Sequence, residues 1–316
     1  MIGRHKHCIS LAEYSREEIL EVLDLAVSMK EVLQRPIKKV PSLRGKSVVN
    51  LFFEASTRTR SSFEIAAKVL SADALNWTSS SSSVTKGETL VDTAKNLEAM
   101  RPDVLVIRHS AGGAPKLVAD HVGCSVVSAG DGAHEHPSQG LLDCFTLREK
   151  LGTLEGKTVA IVGDISHSRV ARSDIHAMTK LGARVRLCGP PTMIPAGIET
   201  LGATVHYQLR EAVEGADAVV MLRIQHERIG DPLIPGTREY SKLWGLNAKK
   251  AAEWLRPSCV ILHPGPINRG VELSPEVADG PQSVILDQVQ NGVAVRMAIL
   301  YLLAGGNPAE AGEAKA

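Results

Sequence analysis

Residues 46–53 read KSVVNLFF and residues 103–108 read DVLVIR, two short apolar runs without polar alternation. A strand with one wet face alternates polar and apolar positions. A run that is apolar on both faces must be covered on both, which is the situation of a strand inside a parallel sheet. The pattern returns at 158–162 (TVAIV), 218–222 (AVVML) and 259–262, with a more polar strand at 184–188 and a short one at 125–128. Between the strands the apolar spacing is helical, predicting helices at 61–70, 139–150, 169–181 and 290–303. An earlier helix is expected after Ser15, carrying Ile19, Leu20, Leu23, Ala26 and Val27. Strand and helix in alternation predict an α/β fold, each sheet mainly parallel and flanked by helices.

A chain of 316 residues favours two such domains over one. The expected division is 1–150, with a last helix at 288–304 packing back on it, and 151–287. Folds of this class bind ligands at the carboxyl ends of their strands, so the active site is expected in the cleft between the domains.

Lys and Arg number 36 against 35 Asp and Glu, giving a formal net charge of +1. That balance offers no attraction for nucleic acid or an anionic membrane, and any anion site must be a local arrangement of donors. The cysteines at 8, 124, 144, 188 and 259 have no C-x-x-C spacing, so neither zinc nor redox work is expected of them. The polar amino-terminal segment is no secretory signal, and no apolar run nears the ~20 residues of a membrane helix. A cytoplasmic protein with no membrane partner is the expectation.

The densest local chemistry lies at 52–64, FFEASTRTRSSFE. A buried strand runs into hydroxyls and two arginines and then into a helix. A helix amino terminus presents unpaired N–H groups, hydroxyls add donors, and guanidinium forks match phosphate oxygens. The segment reads as a phosphate cradle without the glycines of a P-loop; on residues alone, a capped helix with solvated arginines stays open. His134-Glu135-His136 resembles a metal pair, but no third ligand cluster accompanies it, and no metal is expected. His136 precedes Pro137, a favoured first helical residue, where a neutral imidazole could donate to a carbonyl oxygen. Residues 79–83, all serine, read by composition as a surface loop.

The S-T-R-T-R at 56–60 resembles the carbamoyl phosphate motif of the aspartate/ornithine carbamoyltransferase family. Segments 106–109 (VIRH), 136–139 (HPSQ), 223–228 (RIQHER) and 263–266 (HPGP) follow in the family's order. The resemblance implies that Ser56, Thr57, Arg58, Thr59, Ser82, Arg108, His136, Gln139, Gly265 and Pro266 bind carbamoyl phosphate. It implies that Lys86, Arg169, Arg223 and Gln225 bind L-aspartate, and that Arg58, Thr59, Lys86, Arg108 and His136 carry catalysis. Glu54 and Arg228 resemble residues that bridge the domains on closure. The serine-rich segment with Ser82 and Lys86 resembles a loop that enters a neighbouring subunit's site, which implies a homotrimer. No cofactor is implied; regulatory chains or a dihydroorotase are possible partners. Two departures stand out: Gly265 where several members have Leu, and Thr85 where some have a second lysine.

Three rival readings disagree with the residues. The ornithine branch usually carries H-C-L-P and an S-M-G loop, both absent here, and cationic ornithine sits badly beside Arg169 and Arg223. A nicotinamide dehydrogenase needs G-x-G-x-x-G glycines that residues 162–167 lack. An inactive structural homologue would show broken site positions, and the first-domain positions are intact.

Overall fold

The computed structural model describes residues 5–78, 88–224, 233–234 and 236–305. The chain divides into two compact units, one formed by Met1–Leu142 with Gln290–Ala316 and the other by Asp143–Val289.

In the first unit α1 (Arg16–Gln34) opens with a reciprocal cap: Ser15 accepts from the Glu18 N–H, and the Glu18 side chain accepts from the Ser15 N–H. Then follow β1 (Ser47–Phe52), α2 (Thr57–Val69), β2 (Asp73–Thr78), α3 (Leu90–Glu98), β3 (Val104–His109), α4 (Ala114–Ala119), β4 (Ser125–Asp131) and α5 (Pro137–Leu151). The strands pair in parallel in the order β2-β1-β3-β4. Val49 and Leu51 of β1, Leu105 and Ile107 of β3 and Val126 of β4 pack with Val118 and Val122 in one core. Burying side chains of this size stabilises by about 1.5–3 kcal/mol each.

The second unit continues with β5 (Thr158–Val162), α6 (Arg169–Lys180), β6 (Arg184–Cys188), β7 (Ala203–His206), α7 (Leu209–Val213), β8 (Ala218–Met221), α8 (Thr237–Leu243), α9 (Ala248–Trp254), β9 (Val260–Leu262) and α10 (Pro275–Ala278). Its strands are also parallel, in the order β7-β6-β5-β8-β9. The final helix, α11 (Ile285–Leu303), belongs to the first unit from Gln290 onward. There the Arg296 guanidinium donates to Ser62 Oγ at 3.0 Å and lies 5.2 Å over the Phe63 ring, and Ser125 Oγ donates to the Leu303 carbonyl.

Both sheets are pinned at their amino ends by the same device. Asp103, ahead of β3, accepts the Ser47 N–H at 2.8 Å and pairs with Lys46. Asp217, ahead of β8, accepts the Thr158 N–H at 2.8 Å. Each carboxylate fixes the strand next to its own, and leaves the carboxyl ends to the functional loops.

The structure departs from the sequence reading at several elements: α11 begins at Ile285, ahead of the expected start, and β7, α3, α4 and α7 to α10 were not foreseen. The helix expected at 61–70 begins at Thr57, so the hydroxyls and arginines of the cradle lie in its first turn. β2 was not foreseen: it is an edge strand with Asp73, Leu75 and Asn76 exposed, and it lacks the two-sided apolar run. β4 extends through Asp131, well past the short strand expected. Among the described residues no helix is long and apolar enough to cross a membrane.

Candidate active site

In an open parallel sheet, ligands collect beyond the carboxyl ends of the strands where the chain reverses its direction of winding. In the first sheet that point lies between β1 and β3, since β2 is laid down on one side and β3 on the other. The Phe53 N–H donates to the Arg108 carbonyl, carrying the pairing just past β1. Beyond it, Ser56 caps α2 in an extended conformation without a side-chain cap bond, and no acidic residue lies in the first turn. First-turn N–H groups without such a cap, next to Thr57, Arg58 and Thr59, make an anion-binding surface. Thr57 and Arg58 are exposed, Ser56 is half-buried and Thr59 is buried.

Arg108 leaves β3 with its guanidinium oriented by two neighbours. Its Nε donates to Glu54 Oε2 at 3.1 Å and one terminal nitrogen reaches the Ala129 carbonyl at 3.4 Å. Glu54, expected to act in domain bridging, is seen pairing with Arg108; Arg228 lies outside the described residues.

His136 follows β4, which is the neighbour of β3 in the sheet. Its carbonyl accepts the N–H groups of Gln139 and Gly140, so it stands at the amino terminus of α5 as the Pro137 argument required. His136 and Gln139 are both buried. The turn that carries them is fastened by acids the sequence reading passed over. Asp131 accepts the N–H groups of Gly113 and Glu135, at 2.7 and 3.1 Å. Glu135 accepts the Leu11 N–H at 2.9 Å and the Ser10 hydroxyl, tying the amino-terminal segment to the turn. Glu135 stood in the His-Glu-His triplet, where it was weighed only as a metal ligand. Nearby, burial holds the His109 imidazole below the usual histidine range; its Nδ1 accepts the Ala111 N–H and its ring meets Phe53 edge-on.

The second sheet reverses between β5 and β8. Gly163, just past β5, has φ +137°, and a side chain there would meet the Leu222 carbonyl at 2.8 Å, so the close passage of the two strand ends requires glycine. Asp164 is buried and holds His167 through both its main-chain N–H and its ring Nδ1. Ser168 then caps α6 by accepting the Ala171 N–H at 3.2 Å. This places Arg169 as the first residue of α6, 3% exposed. Arg223 lies two residues past β8, half-buried, followed by Ile224, which packs with Met193 and Tyr240.

Residues 263–266 follow β9, the neighbour of β8. His263 is buried, the Gly265–Pro266 bond is cis, and Gly265 has φ +67°, a left-handed conformation that glycine adopts without strain. Ser82, Lys86 and Gln225 lie outside the described residues. Among the described residues no group of three or more His, Cys, Asp or Glu is placed to hold a metal ion.

The structure thus brings Ser56–Thr59, Arg108, His136 and Gln139 to the carboxyl edge of one sheet, and Arg169, Arg223, Gly265 and Pro266 to the carboxyl edge of the other. The first set suits a phosphorylated compound with a carbonyl to polarise, and the second suits carboxylates.

Known proteins sort along the same lines. Residues 6–149 match the family model described as aspartate/ornithine carbamoyltransferase, carbamoyl-P binding domain, and residues 155–303 match its Asp/Orn binding domain. The aspartate carbamoyltransferase catalytic subunit of Anaeromyxobacter sp. (strain Fw109-5) is 96% identical over 316 residues, all of both chains. The protein of the same name from Syntrophotalea carbinolica is 60% identical, covering 98% of this chain and 99% of its own. Among solved structures, Trypanosoma cruzi aspartate transcarbamoylase in complex with carbamoyl phosphate and aspartate superposes with a TM-score of 0.85 at 29% identity, covering 94% of this chain and 96% of that one. Pyrococcus furiosus ornithine carbamoyltransferase gives 0.84 at 29% identity, covering 95% and 97%.

Proposed function

The chain belongs to the aspartate/ornithine carbamoyltransferase family, and from that premise we propose that it transfers the carbamoyl group of carbamoyl phosphate to the amine of L-aspartate. The products are N-carbamoyl-L-aspartate and phosphate, the step that commits aspartate to pyrimidine synthesis. The fold alone does not choose the acceptor, because the aspartate and ornithine enzymes superpose equally well, with TM-scores of 0.85 and 0.84. The observation that carries the choice is the close relatives at 60–96% identity over nearly the full chain, which bear the aspartate name. The pair Arg169 and Arg223 at the second sheet's carboxyl edge supports it: two guanidinium groups match a dicarboxylate and would repel ornithine's ammonium.

In this reading the neutral amine attacks the carbonyl carbon, a C–N bond forms, and the negative charge gathers on the carbonyl oxygen. Thr59, Arg108 and His136 supply the donors for that oxygen, with Gln139 and the Gly265–Pro266 segment on the carbamoyl amide. The C–O bond to phosphate then breaks. Ser56, Thr57, Arg58, Ser82 and Lys86 neutralise the leaving phosphate, one of whose oxygens takes the amine proton. Gln225 joins Arg169, Arg223 and Lys86 in holding aspartate. No side-chain nucleophile takes part; the rate comes from positioning and from preorganised donors. We also infer a homotrimer in which Ser82 and Lys86 serve a neighbour's site, and a cytoplasmic enzyme, the latter supported by five cysteines that are all free. A sedimentation mass of one chain would sink the trimer.

The test of the activity is phosphate release from carbamoyl phosphate by the purified chain, with L-aspartate or L-ornithine as acceptor. Release with aspartate alone, together with carbamoyl-aspartate, is the expected result. Release with ornithine alone would move the error to the second unit, and release with neither would overturn the assignment.

A further inference from the structure

The turn after β9 is gripped from two directions by buried groups to which no substrate role has been assigned. The Gly265 N–H donates to His263 Nδ1 at 2.8 Å, so that nitrogen is an acceptor and the ring hydrogen must sit on Nε2. Nε2 faces Glu272 Oε1 at 3.1 Å, with both side chains fully buried, and the Asn268 N–H donates to the same oxygen. The main chain of His263 is held separately: its N–H donates to Gln288 Oε1 at 2.9 Å. That bond fixes which way the Gln288 amide points, and its Nε2 donates to Asp143 Oδ1 at 2.6 Å.

Asp143 lies within hydrogen-bonding reach of Asp174, and both side chains are fully buried. Among the described residues no N–H or hydroxyl donor meets either oxygen of Asp174. Two carboxyl groups can bond to one another only through a proton that one of them carries. Burial, reinforced by the Asp143 charge, pushes the Asp174 carboxyl well above its usual range, in agreement with this arrangement.

We propose that Glu272, Gln288 and the Asp143–Asp174 pair are positioning residues that lock the ring and main chain of His263 and so hold the Gly265–Pro266 segment in place for the carbamoyl group. The inference rests on the reading of Gly265 and Pro266 as carbamoyl phosphate contacts. A His-Pro-Gly-Pro turn is otherwise free to wander at its glycine, and a displacement of about 1 Å in a positioning group costs on the order of 100-fold in rate. The network starts on α5, where Asp143 accepts from Gln288.

The test is steady-state kinetics of Glu272→Gln and Glu272→Ala, varying the two substrates separately. Glu272→Gln keeps an oxygen acceptor for His263 and Asn268, and both KM values should stay within about twofold of the parent. Glu272→Ala should raise the KM for carbamoyl phosphate by about tenfold or more, with a far smaller change for aspartate. A folded Glu272→Ala protein with an unchanged carbamoyl phosphate KM, or equal changes for both substrates, would overturn the proposal. Nitrogen-15 spectra of the histidine-labelled parent provide a check that needs no variant: His263 should show its proton on Nε2, and a proton on Nδ1 would overturn the lock. A parent chain that turns over neither acceptor would sink the functional reading and the positioning role with it, while the nitrogen spectra would still report on the lock itself.

Discussion

Arg108 enters its proposed work already aimed, with Glu54 on Nε and the Ala129 carbonyl on a terminal nitrogen. A guanidinium held in this way has little conformational freedom left to lose when charge develops on the carbonyl oxygen. Arg108→Ala is expected to lower kcat by roughly 100- to 1,000-fold with the thermal transition nearly unchanged; turnover close to the parent's would remove Arg108 from the mechanism. Arg108 was singled out by its resemblance to a family arginine, since a charged residue ending a buried strand can equally face solvent. Glu135 was not, because its partners Ser10 and Leu11 are 125 and 124 residues away in sequence. Asp174 was equally hidden: nothing local distinguishes a carboxyl on the buried face of α6 from one in solvent. Its effect on stability has a definite sign. With its folded pKa raised above the unfolded one, its contribution is complete below the ordinary carboxyl value of about 4 and is lost as pH rises through the folded value. Asp174→Asn cannot ionise, so in urea unfolding it should gain stability relative to the parent as pH rises from about 4 to about 8. An identical difference at both pH values would refute this.

At the scale of elements, legibility followed unbroken apolar runs; β4 is buried throughout, yet its polar end was read as loop. β5 was read with its observed bounds, since all five of its residues are buried and the run is apolar throughout. β2 was missed because its exposed side chains carry no period. The start of α2 was misplaced because Thr57, Thr59, Ser61 and Ser62 are poor indicators of helix, and the capping position, Ser56, makes no side-chain cap bond that would mark the boundary. α6 is the opposite case: Ser168 does cap it, one residue ahead of Arg169. Ser168→Ala should cost about 1 kcal/mol of stability, read as a lower urea midpoint, and should raise the KM for aspartate more than that for carbamoyl phosphate as the first turn loosens. An unchanged midpoint would show that the Ser168–Ala171 bond contributes nothing.

Taken whole, the molecule is two parallel sheets, each pinned by an aspartate at its amino edge and each carrying functional residues at its carboxyl edge. That repetition was only half visible in the sequence, because Asp103 and Asp217 look like ordinary strand-flanking acids until their acceptor roles are seen. The first unit is also discontinuous: it needs Gln290 onward, whereas the second is one uninterrupted stretch, Asp143–Val289. The bonds from Arg296 to Ser62 and from Ser125 to Leu303 span 234 and 178 residues. The consequence concerns the order of synthesis. On a ribosome the half that is begun first is finished last, and Ser62, Phe63 and Ser125 must wait for their partners until α11 emerges. A chain ended at residue 289 is therefore expected to protect the amides of β5 and β8 in hydrogen exchange while those of β1 and β3 exchange freely; protection of β1 and β3 there would show that the first unit closes without its last helix. For a cell, the vulnerable interval of this protein would then last until α11 is made, and a holdase that recognises nascent β1 and β3 would have to stay until that helix is released.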